Sequence, residues 1–242
     1  MDTFHISQED TNQTQLKMAQ ASAANDFAHE PGLSKEEIAR RYSEWAKGAQ
    51  YEQDLGEKNY RGPLITAETM AELFPDEEVR KNLYILDVAA GTGLVGSQLQ
   101  RKGFSKIDAL EPSEGMLNLA ISKNVYTRTF QNFLGEDSTN IEPDYYDVAI
   151  ICGGMGQGHI PCNGIDELVR LVKPGGHVMI VMRESYLTTV EEYKDRLEPH
   201  MKELELDGKW EAVSRTVVPK YSFDNNGVIY IFKIKNNSIV EG

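Results

Sequence analysis

The sequence predicts an α/β fold, built on a mostly parallel sheet with helices on both faces. Short apolar segments alternate with helical ones from about Leu83 onward, which is typical of a parallel sheet. The last two strand-like segments are joined by a connection too short for a parallel crossover, so the last strand is expected to be antiparallel. The 242 residues, 40% of them apolar, are enough for one well-buried domain.

The first 32 residues are polar and small, show no clear period and end at Pro31-Gly32. We expect residues 1–32 to form a disordered arm and residues 33–242 to form the domain.

The first helix is predicted directly after this arm. Ser34 and Glu37 form an S-x-x-E capping box, and apolar residues follow at helical spacing. Among them, Tyr42 and Trp45 are expected to anchor the helix on the sheet. A second helix opens at Pro63 and stops at Pro75. Residues 33–75 are therefore predicted to form a helical segment that lies over the sheet as a lid.

Strands and helices then alternate. The strand candidates are Tyr84–Val88, Lys106–Leu110, Tyr126–Phe130, Asp147–Ile151, His177–Met182, Glu211–Val218 and Val228–Lys235. The helix candidates are 94–102, 114–122, 164–172 and 186–206, the last with a break at Pro199. The stretch Lys173-Pro-Gly-Gly176 predicts a turn into a strand, and Asp224-Asn-Asn-Gly227 lies in the connection between the last two strands.

A glycine-rich loop follows the first strand. Gly91, Gly93 and Gly96 spell G-x-G-x-x-G, the pattern of dinucleotide-binding loops. Asp87, however, stands at the end of the strand, where a carboxylate would repel the pyrophosphate of NAD. S-adenosylmethionine (SAM) carries an ammonium and a sulfonium and no phosphate, so this acid favours SAM. The glycines would let the backbone approach its methionine and ribose portion closely.

A second acid ends the second strand. Glu111 can accept hydrogen bonds from both ribose hydroxyls of NAD or of SAM, so it does not distinguish the two. The residues after it add to the site: Pro112 can lie against the adenine, Ser113 can cap the next helix, and Met116 can face the ring.

These motifs resemble class I SAM-dependent methyltransferases. The similar stretches are D-V-A-A-G-T-G-L, E-P-S-E-G-M-L, Y-D-V-A-I and K-P-G-G-H-V. Y-S-E-W-A-K-G-A-Q-Y-E-Q-D-L, G-G-M-G-Q-G-H-I-P-C and the W-E-A-V…G-V-I-Y-I-F-K ending are similar to the Williams–Beuren syndrome region methyltransferase-like proteins. The resemblance covers about residues 35–235 and departs from the usual pattern at Ala90 and in F-Q-N-F-L-G-E-D, which lacks Gly-Asp-Ala.

The resemblance implies a Rossmann-like sheet of seven strands with the seventh antiparallel. It also implies a SAM site made by Asp87, Ala89, Gly91, Thr92, Gly93, Glu111, Pro112, Met116, Asn132, Phe133 and Gly153. Tyr51 and Tyr60 lie past the first helix, in a segment that could close over SAM or be plain surface. Arg61 could meet the methionine carboxylate or be a solvated arginine. His159 is the one candidate for a general base, with a plain loop residue as the alternative.

We therefore expect a SAM-dependent methyltransferase that acts on the oxygen, nitrogen or sulfur of a small molecule, or of a protein side chain. The alternatives are a SAM-binding protein without catalysis and an NAD(P)-dependent oxidoreductase. The net charge of −13 disfavours a nucleic-acid substrate. Two cysteines, Cys152 and Cys162, indicate a reduced chain without a metal site. We expect a monomer in the cytoplasm, without a signal peptide or a membrane span.

Overall fold

The computed structural model describes residues 27–28, 30–56, 58–135 and 138–236. Its strands are β1 Tyr84–Val88, β2 Lys106–Leu110, β3 Thr129–Phe130, β4 Tyr146–Cys152, β5 Val172–Arg183, β6 Trp210–Ser222 and β7 Asn225–Ile234. They form a seven-stranded sheet in the order β3-β2-β1-β4-β5-β7-β6. The pairs among β1 to β5 are parallel, and β7 runs antiparallel to both β5 and β6. The predicted fold class is thus confirmed.

Helices connect the strands and cover the sheet. In chain order they are α1 Lys35–Ala46, α2 Gln50–Asp54, α3 Gly62–Leu73, α4 Glu77–Asn82, α5 Leu94–Arg101, α6 Glu114–Ser122, α7 Ile165–Leu171, α8 Tyr186–Thr189 and α9 Leu197–Leu206. Ser34 caps α1 as predicted, because its hydroxyl accepts from the backbone N–H of Glu37. No helix of the described residues is both long and apolar enough to cross a membrane.

Two apolar clusters hold the layers together, one on each face of the sheet. On one face Met70 of α3 and Leu99 of α5 pack against Ile85 and Ile150. On the other face helices α7 and α9 pack against the sheet and against the buried Trp210. The central strands β1, β2 and β4 are buried along most of their length and read as largely apolar runs, which makes them recognisable in the sequence, whereas the edge strand β6 is mostly exposed.

Three elements differ from the prediction. Strand β3 has two residues instead of five, and Tyr126, which was predicted to begin it, lies before the strand with its ring against Gly93 and Gly96. The stretch Lys173-Pro-Gly-Gly176 lies within β5 as an irregularity, where pairing leaves Val172 and resumes at His177. The predicted helix over 186–206 breaks at 190–196 and not at Pro199. The proline lies in the first turn of α9, where its missing N–H costs nothing.

The predictions for the N-terminal arm and the lid segment can be compared with the structure only in part. Residues 1–26 of the expected arm lie outside the described residues, whereas Phe27 and Ala28 are helical and Ala28 is buried. Helical structure is thus described ahead of residue 33, and the boundary between arm and domain stays a prediction. The predicted lid segment 33–75 divides into two parts, since α1 and α2 lie over the carboxyl edge of the sheet while α3 packs on one of its faces.

Candidate active site

A cavity of about 550 Å³ lies at the carboxyl ends of β1, β2 and β4. The loops that follow these strands form its floor, and α1 and α2 form its roof. Of the residues singled out in the sequence, it is lined by Tyr51, Tyr60, Ala89, Gly91, Thr92, Glu111, Pro112, Met116, Asn132, Phe133, Gly153 and His159. Asp87 lies buried at the end of β1, next to Val88, which lines the cavity. Gly93 lies behind the loop, and Arg61 is exposed and does not line the cavity.

The turn after β1 is tight and partly left-handed. Ala89, Gly91 and Gly93 have φ values of 54°, 56° and 84°, a region that glycine adopts readily and alanine rarely. A side chain at Gly91 would meet nothing within 4 Å, so open space lies in front of this residue. The backbone of the turn is therefore open to a ligand at Gly91.

The other two glycines of the motif serve packing. A Cβ at Gly96 would lie 2.6 Å from the hydroxyl of Tyr126, and one at Gly93 would lie 3.0 Å from its ring. The ring of Tyr126 thus rests on the start of α5, and its hydroxyl donates to Oδ2 of Asp87 at 2.6 Å. Of the three glycines, Gly91 faces the cavity, while Gly93 and Gly96 make room for the ring of Tyr126. Tyr126 in turn orients the carboxyl of Asp87.

Asp87 is 1% exposed, and its Oδ1 has no hydrogen-bond partner among the described residues. Burial raises the pKa of this carboxyl to about 7, although the hydrogen bond from Tyr126 opposes the shift. A buried carboxylate with one unused oxygen is costly unless a ligand supplies a donor or a positive charge.

Glu111 is held by the backbone on both of its oxygens. The N–H of Gly91 donates to Oε2 and that of Ser113 to Oε1, each at 2.8 Å. Each oxygen keeps acceptor capacity on its cavity side, because a carboxylate has about four acceptor positions. Burial also raises the pKa of Glu111 to about 7. The carboxyl is thereby fixed in position before any ligand arrives.

The roof rests on the floor through a close helix crossing. The hydroxyls of Ser43 in α1 and Ser113 lie 2.8 Å apart, and the N–H of Gly115 donates to Ser43 at 3.2 Å. A Cβ at Gly115 would lie 2.8 Å from Cα of Ser43, so the backbones approach closely here. An ion pair between Glu52 and Lys123 adds a second connection between roof and floor.

An aromatic cluster forms the inner side of the roof. The ring of Tyr42 lies 6.0 Å from that of Trp45 and 6.3 Å from that of Tyr51. Trp45 donates to Asp54 at 2.8 Å, which ties α1 to α2. Tyr42 thus lines the cavity, while Trp45 packs within the roof and not onto the sheet as predicted.

Tyr60 is fixed from the opposite direction. Its backbone bridges to Ser222, and its ring meets that of Tyr221 edge-on at 5.5 Å. Its hydroxyl lies 3.4 Å from the sulfur of Cys152 and so close to Gly153 that no Cβ would fit there. The β6–β7 hairpin therefore positions Tyr60, and this connection points the next residue, Arg61, to solvent.

His159 lies in the loop after β4. Its Nδ1 is 2.8 Å from the carbonyl oxygen of Gln157, and its Nε2 is 3.0 Å from the hydroxyl of Tyr42. Tyr193 holds this loop in place, since its hydroxyl donates to the carbonyl of Ile160 at 2.7 Å and accepts from the N–H of Gly156 at 2.9 Å.

Sequence reasoning missed several lining residues, namely Lys35, Ile38, Ala39, Tyr42, Gln157 and Glu192. One available indication was the spacing of Ile38 and Tyr42, which puts both on one face of α1. Glu192 had no such indication, because only the tertiary fold brings the connection between α8 and α9 to the cavity.

Comparison with known proteins agrees with this geometry. A family model described as a methyltransferase domain matches residues 85–176. The human methyltransferase-like protein 27 is 33% identical over 172 residues, which is 71% of this chain and 67% of that protein. Two solved structures share the fold at lower identity, each over 81% of this chain. The first comes from a complex of the Haloferax volcanii Trm112 methyltransferase activator with a putative methyltransferase; it has a TM-score of 0.60 and 11% identity, and 98% of that chain is covered. The second is a putative SAM-dependent methyltransferase from Methanococcus maripaludis, with a TM-score of 0.56 and 17% identity, and 95% of that chain is covered.

The match to the human relative is long enough to assign a family, and the seven-stranded sheet with its antiparallel β7 agrees with it. The resemblance seen in the glycine-loop and Glu111 motifs is thereby confirmed. This chain belongs to the class I SAM-dependent methyltransferases.

Proposed function

We propose that the cavity binds SAM and that the chain transfers its methyl group to an oxygen, nitrogen or sulfur atom of a small molecule or a protein side chain. The observation that carries the proposal is the buried carboxyl of Glu111, which lines a cavity of about 550 Å³, with a second buried carboxyl at Asp87, next to the lining residue Val88. A cavity of this size is within the range of cofactor sites.

The residues present fit SAM better than a dinucleotide. Asp87 has an oxygen without a partner among the described residues, and SAM offers an ammonium donor. A sulfonium nearby would further favour the ionised forms of both acids. The pyrophosphate of NAD would instead bring two negative charges close to two buried carboxylates.

Each part of the cavity has a proposed role. Glu111 would accept from the ribose hydroxyls, while Asp87 and the open side of Gly91 would receive the methionine portion. Tyr51 and Tyr60 would close that end. The adenine would lie among Pro112, Met116, Asn132 and Phe133.

SAM supplies an electrophilic methyl group that is already activated. The chain therefore needs mainly to position the acceptor and exclude water. The roof of α1 and α2 covers the cavity and is the part that we propose opens and closes. A buried cavity of limited size favours a small molecule as the acceptor.

The test is calorimetry of the wild-type chain with SAM, S-adenosylhomocysteine (SAH) and NADH. We expect micromolar affinity for the first two, about −8 kcal/mol, and no heat with NADH. Because burial raises the pKa of Asp87 and Glu111 to about 7, both are mostly protonated at pH 6 and mostly ionised at pH 8, and binding of a cation at pH 6 expels these protons. SAM affinity should thus rise from pH 6 to pH 8, with proton release on binding at pH 6. Heat with NADH alone would contradict the proposal.

A further inference from the structure

The hydrogen bond between Tyr42 and His159 has a defined direction. A carbonyl oxygen only accepts, so the Nδ1 of His159 that faces the carbonyl of Gln157 at 2.8 Å carries a proton. In the neutral imidazole, Nε2 is then the acceptor and receives the O–H of Tyr42 at 3.0 Å. A hydroxyl oxygen can accept hydrogen bonds while its own proton is donated.

Both side chains line the cavity, and both are held in place. The loop that carries His159 is pinned by Tyr193, and the Tyr42 ring is packed against Trp45 and Tyr51. The imidazole also meets the Tyr42 ring edge-on at 5.5 Å. A base held in this way needs little rearrangement when an acceptor enters.

The groups around the pair keep Tyr42 protonated. Burial raises the pKa of its hydroxyl well above the ordinary range, and the charges of nearby acidic groups raise it further while one arginine opposes them. Among the described residues, the groups that act on it include Tyr51 of α2, Tyr186 of α8, Glu111 at the end of β2 and Arg183 at the end of β5. Lys35 and Glu192 line the same cavity. The Tyr42 hydroxyl therefore stays protonated and lies within hydrogen-bond distance of the imidazole.

We propose, on the basis of the methyl transfer proposed above, that Tyr42 and His159 accept the proton of a weakly acidic hydroxyl, and that the acceptor is a phenol- or enol-type compound. The acceptor O–H bond breaks as its oxygen forms a bond to the methyl carbon. Its proton goes to the Tyr42 oxygen while the Tyr42 proton passes to Nε2 of His159. The electron pair of the broken carbon–sulfur bond stays on sulfur, and SAH is the product.

The acidity of the acceptor decides its class. A free phenol has a pKa of about 10 and a free imidazole one of about 6.5. Proton transfer from a phenol to an imidazole therefore costs free energy, which a methyl transfer in the same step can offset. An aliphatic alcohol is far less acidic. An amine in its free-base form needs no proton removal before attack, and a thiol, near ~8.5, is already partly ionised at pH 8.

The test uses phenol and 4-nitrophenol as matched acceptors at pH 8, with aniline and thiophenol as competitors, and measures SAH formation. We expect Tyr42→Phe and His159→Gln to lower kcat with phenol about 100-fold. With 4-nitrophenol, which is already largely ionised, the loss should be much smaller. SAH affinity should stay within about twofold. Tyr145→Phe and His200→Gln, remote from the cavity, are the controls.

A nitrogen-15 NMR spectrum of the ligand-free chain gives a second readout, since His159 should carry its proton on Nδ1 and Tyr42→Phe should shift Nε2. Equal losses with phenol and 4-nitrophenol, or a proton on Nε2, would overturn the inference. So would a wild type that binds SAH yet methylates neither phenol. A wild type that binds no SAH would overturn the proposed function itself.

Discussion

The floor and the roof of the cavity are held by different kinds of interaction. The floor consists of strand ends, where the Glu111 carboxylate accepts from two backbone amides and Asp87 is held by Tyr126. The roof is a pair of helices attached through side chains. Its polar connections to α6 and its end include the Ser43–Ser113 hydroxyl pair, the bond from the N–H of Gly115 to Ser43, and the ion pair of Glu52.

This difference indicates that the floor and the roof differ in how easily they open. Elements built into a sheet open only with the sheet, whereas elements docked through a few side chains open locally at lower cost. We therefore expect the floor to remain in place while the roof admits and releases ligands. Tyr60 is expected to be intermediate in mobility. It belongs to the predicted lid segment 33–75, but its backbone is bridged to Ser222 of the β6–β7 hairpin.

The largest effect is expected from removing the acid of the floor. Glu111→Ala deletes the proposed acceptor of the ribose hydroxyls, at about 1.5–3 kcal/mol for each hydrogen bond, so SAH affinity should fall at least tenfold. It also leaves the N–H groups of Gly91 and Ser113 without their acceptor, so the melting temperature should fall as well.

The matched control is Glu114→Ala, which removes an exposed acid three residues along the chain. Calorimetry and thermal melts of both variants test the prediction. A dissociation constant for Glu111→Ala equal to that of the wild type would show that the acid serves the loop and not the ligand.

An intermediate effect is expected from lifting the roof. Gly115→Ala should favour α6 by intrinsic helix propensity, yet its Cβ would lie 2.8 Å from Cα of Ser43. Overpacking of this kind costs about 1–3 kcal/mol, which here should weaken the docking of α1. Hydrogen exchange should quicken across Lys35–Ala46 and SAH affinity should fall several-fold, while β1 is unchanged.

The control for Gly115→Ala is Asn118→Ala, on the exposed side of the same helix. In the wild type, SAH should slow exchange in α1 and α2 more than at Tyr60, which is already bridged to Ser222. Protection confined to the floor residues would show that the roof does not close over the ligand.

The smallest effect is expected at the ion pair. The side chains of Glu52 and Lys123 are 31% and 22% exposed, and such pairs contribute about 0.2–1 kcal/mol. Glu52→Gln should therefore change SAH affinity by less than about fivefold, and less still in high salt. A double-mutant cycle with Lys123→Met measures the coupling. A loss as large as that of Glu111→Ala would mean that this pair, and not the helix crossing, holds the roof.

Much of the floor was predictable from the sequence, since its residues follow strands with plain apolar patterns. Strands β1 and β2 begin and end where predicted, and Glu111 lies at the cavity. The helices of the roof could be predicted from the sequence, but which of their side chains line the cavity could not. Tyr42 was expected in the core because an apolar stripe on a helix does not reveal which neighbour it faces.

The sequence by itself determined the parallel sheet, its antiparallel end and the two acids at the strand ends. It could do so because these follow from local periodicity and from the rule that parallel strands end at one edge. Only the tertiary structure decided that Gly93 and Gly96 make room for Tyr126, that Arg61 points to solvent and that Tyr42 meets His159. The reason is that these contacts join distant segments, 117 residues apart for Tyr42 and His159, and depend on how helices dock on the finished sheet.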